Sequence, residues 1–508
     1  MLACVTTFTL HGVESRRVAV EVDVRSGLPG FTIVGLADRS VRESRERVRA
    51  AIQNSGWSMP PSRITVNLAP AHLRKEGPGF DLAVACGLLA AVGQVPAGRL
   101  RSVAIYGELA LSGELRPCRG VLAVAEGAAA AGLDGIVLPT ECAPEAALVE
   151  GLGVFGARDL REVAAILRGE TDGTAAPARA PSASSAEAPD LSDVRGHRLP
   201  LRALTIAAAG GHNMLMSGPP GVGKTMLARR LPSILPPLTR TEAIEVTRIQ
   251  SVAGRPVAGL ITQRPFRAPH HSISASGLVG GGASPAPGEA TLAHHGVLFL
   301  DELAEFSRSA LEALRQPLED GRVTIVRGQQ AAVFPTGFQL VASTNPCPCG
   351  HLGTPRCRCA ESDVARYRRR LSGPLLDRID LLVEVRRPAP EDLAAGPVTS
   401  SAAERERVLE ARERQAARAG RAGAGCNARL DSAGLRRVVQ LDDRADTVLR
   451  NAYARGALSP RGHDRVLRVA RTIADLDGAE RVGAAHLLEA LALRCEPVQC
   501  SEVDGEAA

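Results

Sequence analysis

The residues Gly218-Pro219-Pro220-Gly221-Val222-Gly223-Lys224-Thr225 have the spacing G-x-x-x-x-G-K-T. An apolar run from Asn213 to Ser217 precedes them, and a helical pattern from Met226 to Leu231 follows. A phosphate-binding loop requires that strand–loop–helix context. Glycines let successive backbone N–H groups turn inward at a helix N-terminus, which favours an anion. Lys224 is placed to neutralise the β- and γ-phosphates of ATP, and Thr225 to ligate its Mg²⁺.

Downstream, Gly296 to Leu300 reads as a buried strand that ends in Asp301-Glu302. Asp301 is expected to hold the Mg²⁺, directly or through water, and Glu302 to orient and polarise the attacking water. A third apolar strand, Phe338 to Ser343, runs into Thr344-Asn345. An asparagine there can hydrogen-bond the water or the γ-phosphate. Next come Cys347 and Cys349, then seven residues, then Cys357 and Cys359. Four thiolates this close suit tetrahedral Zn²⁺, and Gly350, Gly353 and Pro355 let the connector fold back. The other cysteines, Cys4, Cys86, Cys118, Cys142, Cys426, Cys495 and Cys500, are scattered.

Such groups work only in a rigid frame. The chain has 508 residues, too many for one hydrophobic core and enough for about two to four domains. Its 45% hydrophobic and 23% charged residues are ordinary for a soluble protein, and 3% aromatics leaves the cores to Leu, Val, Ile and Ala. A net charge of +6 allows a polyanionic partner without requiring one. Lys75 and Lys224 are the only lysines, and each lies in a motif. Met1 to Thr7 shows no secretory signal, and the most apolar stretch, Ala83 to Val95, is too short to span a bilayer. A cytoplasmic protein with no membrane partner is expected, with its 11 cysteines mostly reduced.

Along the chain, residues 1–168 alternate strand and helix signals, as an α/β or α+β domain does. Strands are expected at Arg17 to Val24, Arg63 to Leu68, Val103 to Leu111 and Gly135 to Pro139. Helices are expected at Asp38 to Gln53 and Leu82 to Val92. Residues 169–190 are a flexible linker rich in Ala, Pro and Ser. Residues 191–386 form the ATPase core, 387–402 a connector, 403–500 an all-helical region and 501–508 a tail.

Four stretches carry a family resemblance: RPFRAPHHS from Arg264 to Ser272, HHGVLFLDE from His294 to Glu302, TNPCPCG from Thr344 to Gly350, and SGPLLDRID from Ser372 to Asp380. They resemble the magnesium-chelatase-like AAA+ ATPases of the YifB/ComM group, as do Thr472 to Leu476 and the N-terminal region. The resemblance implies an AAA+ αβα core, a helical lid and a ring, with a homo-hexamer as the expected assembly. It makes Arg378 the arginine finger that reaches a neighbour's γ-phosphate, since a planar guanidinium suits that clamp. It makes Arg461 the second sensor of the lid, with Arg465, one turn on, as the alternative. It also implies two insertions. One contains Arg264, Arg267 and Gly277 to Gly282. The other is a β-hairpin from Arg322 to Phe334, whose Arg327 would contact DNA phosphate without reading sequence.

In the N-terminal region, KEGPGFDLA from Lys75 to Ala83 and YGELALSGEL from Tyr106 to Leu115 resemble motifs of Lon-type proteases. The serine position is Gly79 and the lysine position is Leu122, so the Ser-Lys dyad is missing. The fold expected is therefore α/β multidomain: a Lon-protease-like α+β domain without peptidase chemistry, an AAA+ P-loop core and a helical lid. The function implied is an ATP hydrolase that couples turnover to DNA translocation or branch migration, in natural transformation or recombination. A protein-remodelling ATPase and a chelatase-type motor subunit are the alternatives.

Overall fold

The computed structural model describes residues 1–173, 189–255, 257, 259–282, 285–327, 330–371, 373–419, 425–456 and 458–494. Most of the expected linker, the tail, Cys495 and Cys500 lie outside the described residues.

The N-terminal part is built on a seven-stranded sheet. In chain order its strands are β1 (Leu2–His11), β2 (Glu14–Arg25), β3 (Gly30–Val34), β4 (Arg63–Ala69), β5 (Val103–Ile105), β6 (Gly135–Pro139) and β7 (Gly153–Ala157). In space the order is β3-β4-β2-β1-β5-β6-β7. The β1–β2 and β2–β4 pairs are antiparallel and the rest are parallel. Alternation along β2 sends Val18, Val20 and Val22 into the core. Helix α1 (Arg39–Asn54) starts at Asp38, whose carboxylate accepts from the Val41 N–H at 2.8 Å. It buries Val41, Val48, Ala51 and Ile52 on one stripe. Helix α2 (Asp81–Ala91) is apolar on nearly every side and sits in the middle of the core. The strand expected at Val103 to Leu111 is broken after Ile105, where Tyr106 and Gly107 bond to Val137 and Gly79 before a short strand resumes at Glu108–Leu109. Helix α3 is Val121–Ala130.

The second sheet is parallel throughout. Helix α4 (Arg198–Gly210) leads into β8 (Met214–Ser217), and helices α5 (Lys224–Ile234) and α6 (Arg240–Val252) follow it. Then come β9 (Phe266–Arg267), β10 (Val297–Leu300), the hairpin β11 (Arg322–Arg327) and β12 (Gln330–Pro335), β13 (Gln339–Thr344) and β14 (Leu381–Glu384). The sheet order is β9-β10-β13-β8-β14, so the strand that feeds the glycine-rich loop lies between β13 and β14. The expected hairpin is present. Its tip residues 328–329 and the Arg327 side chain lie outside the described residues.

Beyond the sheet, the described residues are helical and contain no further strand. Helices α7 (Ser401–Ala419) and α8 (Pro460–Leu476) pack on α4. Their junction is a buried ion network. Asp475, fully buried, accepts from both terminal nitrogens of Arg418 at 2.6 and 2.5 Å, from Arg471 Nε at 3.0 Å and from Asn427 Nδ2 at 2.8 Å. Arg471 is itself buried and donates on to the Glu480 carbonyl. The expected connector at 387–402 ends by docking: Ser401 is buried and its hydroxyl accepts from the Leu191 N–H.

Removing the acceptor from a buried charge network leaves its cations uncompensated, which costs about 3–5 kcal/mol. Asp475→Ala is therefore expected to destabilise the helical region by that amount, read as an early transition in chemical denaturation followed by far-UV dichroism.

Candidate nucleotide site and its surroundings

Strands β8, β10 and β13 run in the same direction and in register, with Ser217 beside Thr344 and Leu300 beside Ala342. The residues that follow each strand therefore meet at one edge. After β8 the loop turns through Gly221 and Gly223, both with positive φ that glycine adopts without strain. Gly218 has no room for a side chain, because a Cβ there would stand 2.2 Å from the Val385 carbonyl oxygen. Helix α5 begins at Lys224, so the loop delivers its N–H groups to a helix N-terminus.

The predicted residues converge there. Lys224 is buried, and its ammonium lies 2.5 Å from the Gly218 carbonyl, 2.9 Å from that of Pro219 and 3.0 Å from Asn345 Oδ1. Burial lowers its pKa, opposed by the charges of Asp301 and Glu302. Thr225 Oγ1 donates to Asp301 at 2.7 Å. Glu302 has φ +54°, a strained conformation for a non-glycine residue, and its side chain is half exposed. Two residues outside the sequence-level expectation help to hold this geometry. The Ser343 hydroxyl donates to Asp301 and accepts from the Glu302 N–H at 3.2 Å. His271 Nδ1 is 3.9 Å from the Glu302 carboxylate. Ser343 could have been read from its place one residue before Thr344-Asn345; the approach of His271 is a tertiary effect.

Arg378, Arg461 and Arg465 are not brought to this cluster. They lie at the opposite end of the sheet. Asp380 precedes β14 and accepts from the Asn213 N–H, which precedes β8. The four residues of β8 separate that end from the loop, about 13 Å at a strand's rise. Arg378 pairs with Glu319 and its side chain is 14% exposed. Arg465 is also 10% exposed, held between Asp377 and Asp380 at 3.9 and 3.8 Å, whereas Arg461 reaches Asp377 at 4.0 Å with 72% of its side chain exposed. Arg461 and Arg378 therefore share one edge, and Arg465 is committed to the interior. Arg264 and Arg267 of the first insertion are internal too. Arg264 binds the Pro236 and His295 carbonyls at 2.6 Å each, and Arg267 forms a two-pronged pair with Glu289.

The four cysteines form a cluster. Cys347 is buried, and its Sγ lies 3.4 Å from Cys349 Sγ and 3.9 Å from Cys357 Sγ. Cys349 and Cys357 are 3.7 Å apart, and all four sulfurs, with Cys359, lie within 4.8 Å of one another. A tetrahedron with metal–sulfur bonds of about 2.3 Å has edges of about 3.8 Å, so this donor set fits zinc. Backbone N–H groups of Arg358 and His351 hold the Cys349 thiol down, to about 6, whereas hydrogen bonds to Cys349 and Cys347 help to push the Cys357 and Cys359 thiols up, so the cluster shares its protons until a metal displaces them.

In the N-terminal part, Gly79 borders a cavity of about 700 Å³ that is also lined by Glu108, Arg119, Glu145 and Arg255. The Tyr106 ring lies against Gly79, and its hydroxyl donates to the Arg119 carbonyl at 3.0 Å. Leu122 is buried, and so is Lys75, whose ammonium bonds to the Pro70 carbonyl.

Comparison with known proteins covers almost the whole chain. Residues 190–393 match the family described as magnesium chelatase, subunit ChlI; residues 20–142 match subunit ChlI of Mg-chelatase; residues 398–494 match the ChlI C-terminal family. An uncharacterized protein of Mycobacterium tuberculosis is 46% identical over 96% of this chain and 97% of its own length. Protein YifB of Escherichia coli and competence protein ComM of Haemophilus influenzae are each 44% identical, covering 97% of both chains.

At Gly79 a Cβ would stand 2.4 Å from Tyr106 Cε2. Gly79→Ser is therefore expected to lower stability by about 1–3 kcal/mol, the usual cost of overpacking, measured by denaturant titration.

Proposed function

The chain belongs to the YifB/ComM family of magnesium-chelatase-like ATPases, and on that footing we propose that it is a ring-forming AAA+ motor that hydrolyses ATP to move DNA. The observation that carries the ATPase reading is the paired contact at one strand edge: Lys224 with Asn345, and Thr225 with Asp301. In this reading Gly218 to Thr225 wrap the phosphates, and Lys224 exchanges loop carbonyls for phosphate oxygens. Thr225 and Asp301 hold Mg²⁺, which supplies charge neutralisation at the phosphates. Glu302 takes the proton of the attacking water, and Asn345 orients that water or the γ-phosphate.

The second half of each active site comes from a neighbour. Arg378 and Arg461 share an edge about 13 Å of strand away from their own Lys224, so they serve a nucleotide held by another copy. Arg378 would leave Glu319 for phosphate when that copy docks. A closed ring satisfies this head-to-tail contact, with a homo-hexamer as the expected size. The hairpin of β11 and β12 points Val326 and Val333 outward, and with Arg327 it is the proposed grip on DNA. Backbone contact of this kind serves translocation or branch migration without sequence preference. ComM's printed name, a competence protein, supports a role in natural transformation or recombination, in the cytoplasm.

The N-terminal domain is proposed to be Lon-like without peptidase chemistry, since Gly79 and Leu122 supply neither hydroxyl nor amine. The same Lon-like resemblance suggests a second reading, in which the ATPase remodels proteins. The four cysteines are proposed to hold Zn²⁺.

Three outcomes follow. Glu302→Gln keeps nucleotide binding and lowers turnover by about 10²-fold or more, measured by steady-state phosphate release. Lys224→Ala and Arg378→Ala are each inactive alone, yet mixing them restores part of the turnover; no recovery would oppose a shared site. A four-way DNA junction stimulates turnover several-fold at low salt and the stimulation fades as salt rises, roughly as phosphate contacts predict. Turnover indifferent to DNA would favour protein remodelling instead.

A further inference from the structure

The geometry points to a metal-controlled brace on the phosphate loop: Zn²⁺ held by Cys347, Cys349, Cys357 and Cys359 sets how tightly this chain binds nucleotide. The inference rests on the zinc reading of the cysteines and adds a consequence for the ATP site. Asn345, whose Oδ1 accepts from Lys224 at 3.0 Å, stands two residues before Cys347. The same short segment then returns to the loop. Gly350 follows Cys349 with φ +79°, and a Cβ on it would stand 2.5 Å from Pro220 Cδ. The cysteine loop thus touches the phosphate loop from two sides: through Asn345 at its lysine, and through Gly350 at Pro220.

Without a metal the cysteine loop is held by its own turns and by the Arg358 and His351 N–H groups on the Cys349 sulfur. Its internal backbone bonds are few turns: Gly350 N–H to the Cys347 carbonyl at 2.9 Å, Thr354 to His351 at 3.0 Å and Cys357 to Thr354 at 3.0 Å. Of the four cysteines only Cys347 is buried. No regular element spans residues 345–360. A tetrahedral ion would tie the two ends of this loop at one point, and loop-closing clips of that kind convert binding energy into local order. With the ion bound, Asn345 and Gly350 stay seated and the phosphate loop is preorganised. Without it, nucleotide must order the segment as it binds, and affinity falls by the fraction of molecules in which the segment is seated.

The test uses the full chain and reads metal and nucleotide separately. Purified reduced protein is expected to carry about one zinc per chain, counted by atomic emission. Cys359→Ser is expected to lose the ion and bind a fluorescent ATP analogue about tenfold more weakly, whereas Cys359→His, which can complete a Cys₃His site, keeps both. Gly350→Val, which leaves all four thiols in place, keeps the zinc and loses affinity through Pro220. Stripping wild-type protein with a chelator and restoring zinc should lower and recover affinity reversibly, which separates the effect from misfolding. Zinc lost from Cys359→Ser with unchanged nucleotide affinity overturns the brace and leaves the zinc reading intact. A wild-type protein that binds nucleotide but no zinc overturns both. Failure of wild-type protein to bind nucleotide at all overturns the ATPase reading itself.

Discussion

A parallel sheet sends the last residue of every strand to the same edge, and that constraint governs the rest of this structure. Ser217, Leu300 and Thr344 end three in-register strands, so Lys224, Asp301 and Asn345 meet although they are far apart in the chain. The other edge receives what precedes the strands: Asn213, and the Asp377 to Asp380 turn with Arg378. Helix α8 then packs its first turns beside that turn, which puts Arg461 there as well. That edge gathers arginines away from the chain's own phosphate loop, paired within the chain to Glu319, Asp377 and Asp380. The ring proposed from the family resemblance is consistent with this placement of Arg378 and Arg461.

Helix α6 joins the two sheets. Towards the N-terminal part it pairs Arg248 with Glu126 and Arg240 with Glu150, and the Ser251 carbonyl accepts from the Gly120 N–H. Towards the ATPase sheet, Glu245 meets His294 at 3.1 Å and His295 at 2.7 Å, immediately before β10. Two histidines and a carboxylate this close resemble a metal site, but the hydrogen bonds argue otherwise. His294 Nδ1 accepts from the Gly337 N–H at 2.8 Å, so its Nε2 must carry the proton and donate to Glu245. Burial pushes the His294 pKa down to about 4, which keeps the ring neutral. The trio is therefore read as a joint between α6 and the strand that carries Asp301, not as a ligand set.

Much of this was legible before any coordinates, for local reasons. The glycine-rich loop, the apolar strand before Asp301 and the helices α1 and α2 are fixed by short-range pattern, and the structure keeps them within a residue or two. What escaped was set by distant partners. Strand β1 carries Thr6, Thr7 and Thr9 buried beside Val5 and Phe8, because it lies between β2 and β5 with both faces covered; its polar residues hid it from an alternation test. The break at Tyr106 and Gly107 depends on Gly79, and the partner of Arg378 is Glu319, neither visible from neighbouring residues. Arg461 and Arg465 have the same helical phase, and only the packing of α8 on Asp380 separates an interior arginine from an exposed one.

The hairpin ties the N-terminal part to the nucleotide-binding part. One face of it, Val323, Ala332 and Phe334, is buried with Val13, Ile249 and Leu292, and His11 Nε2 lies 3.0 Å from the Ala331 carbonyl. At Gly12 the β1–β2 turn comes so close that a Cβ would stand 2.9 Å from the Val333 carbonyl oxygen. The hairpin is therefore clamped between the N-terminal turn and α6, with Val326 and Val333 left outward. A hairpin so seated cannot swing alone. Any stroke that begins at the nucleotide and moves it must carry the N-terminal domain with it, or break an apolar contact that includes the fully buried Phe334. Truncating Phe334 to alanine in such a setting costs about 3–5 kcal/mol, so the rigid alternative is the cheaper one. On this argument the N-terminal part and the hairpin move as one body, which in the proposed motor would make that part the wall behind the hairpin.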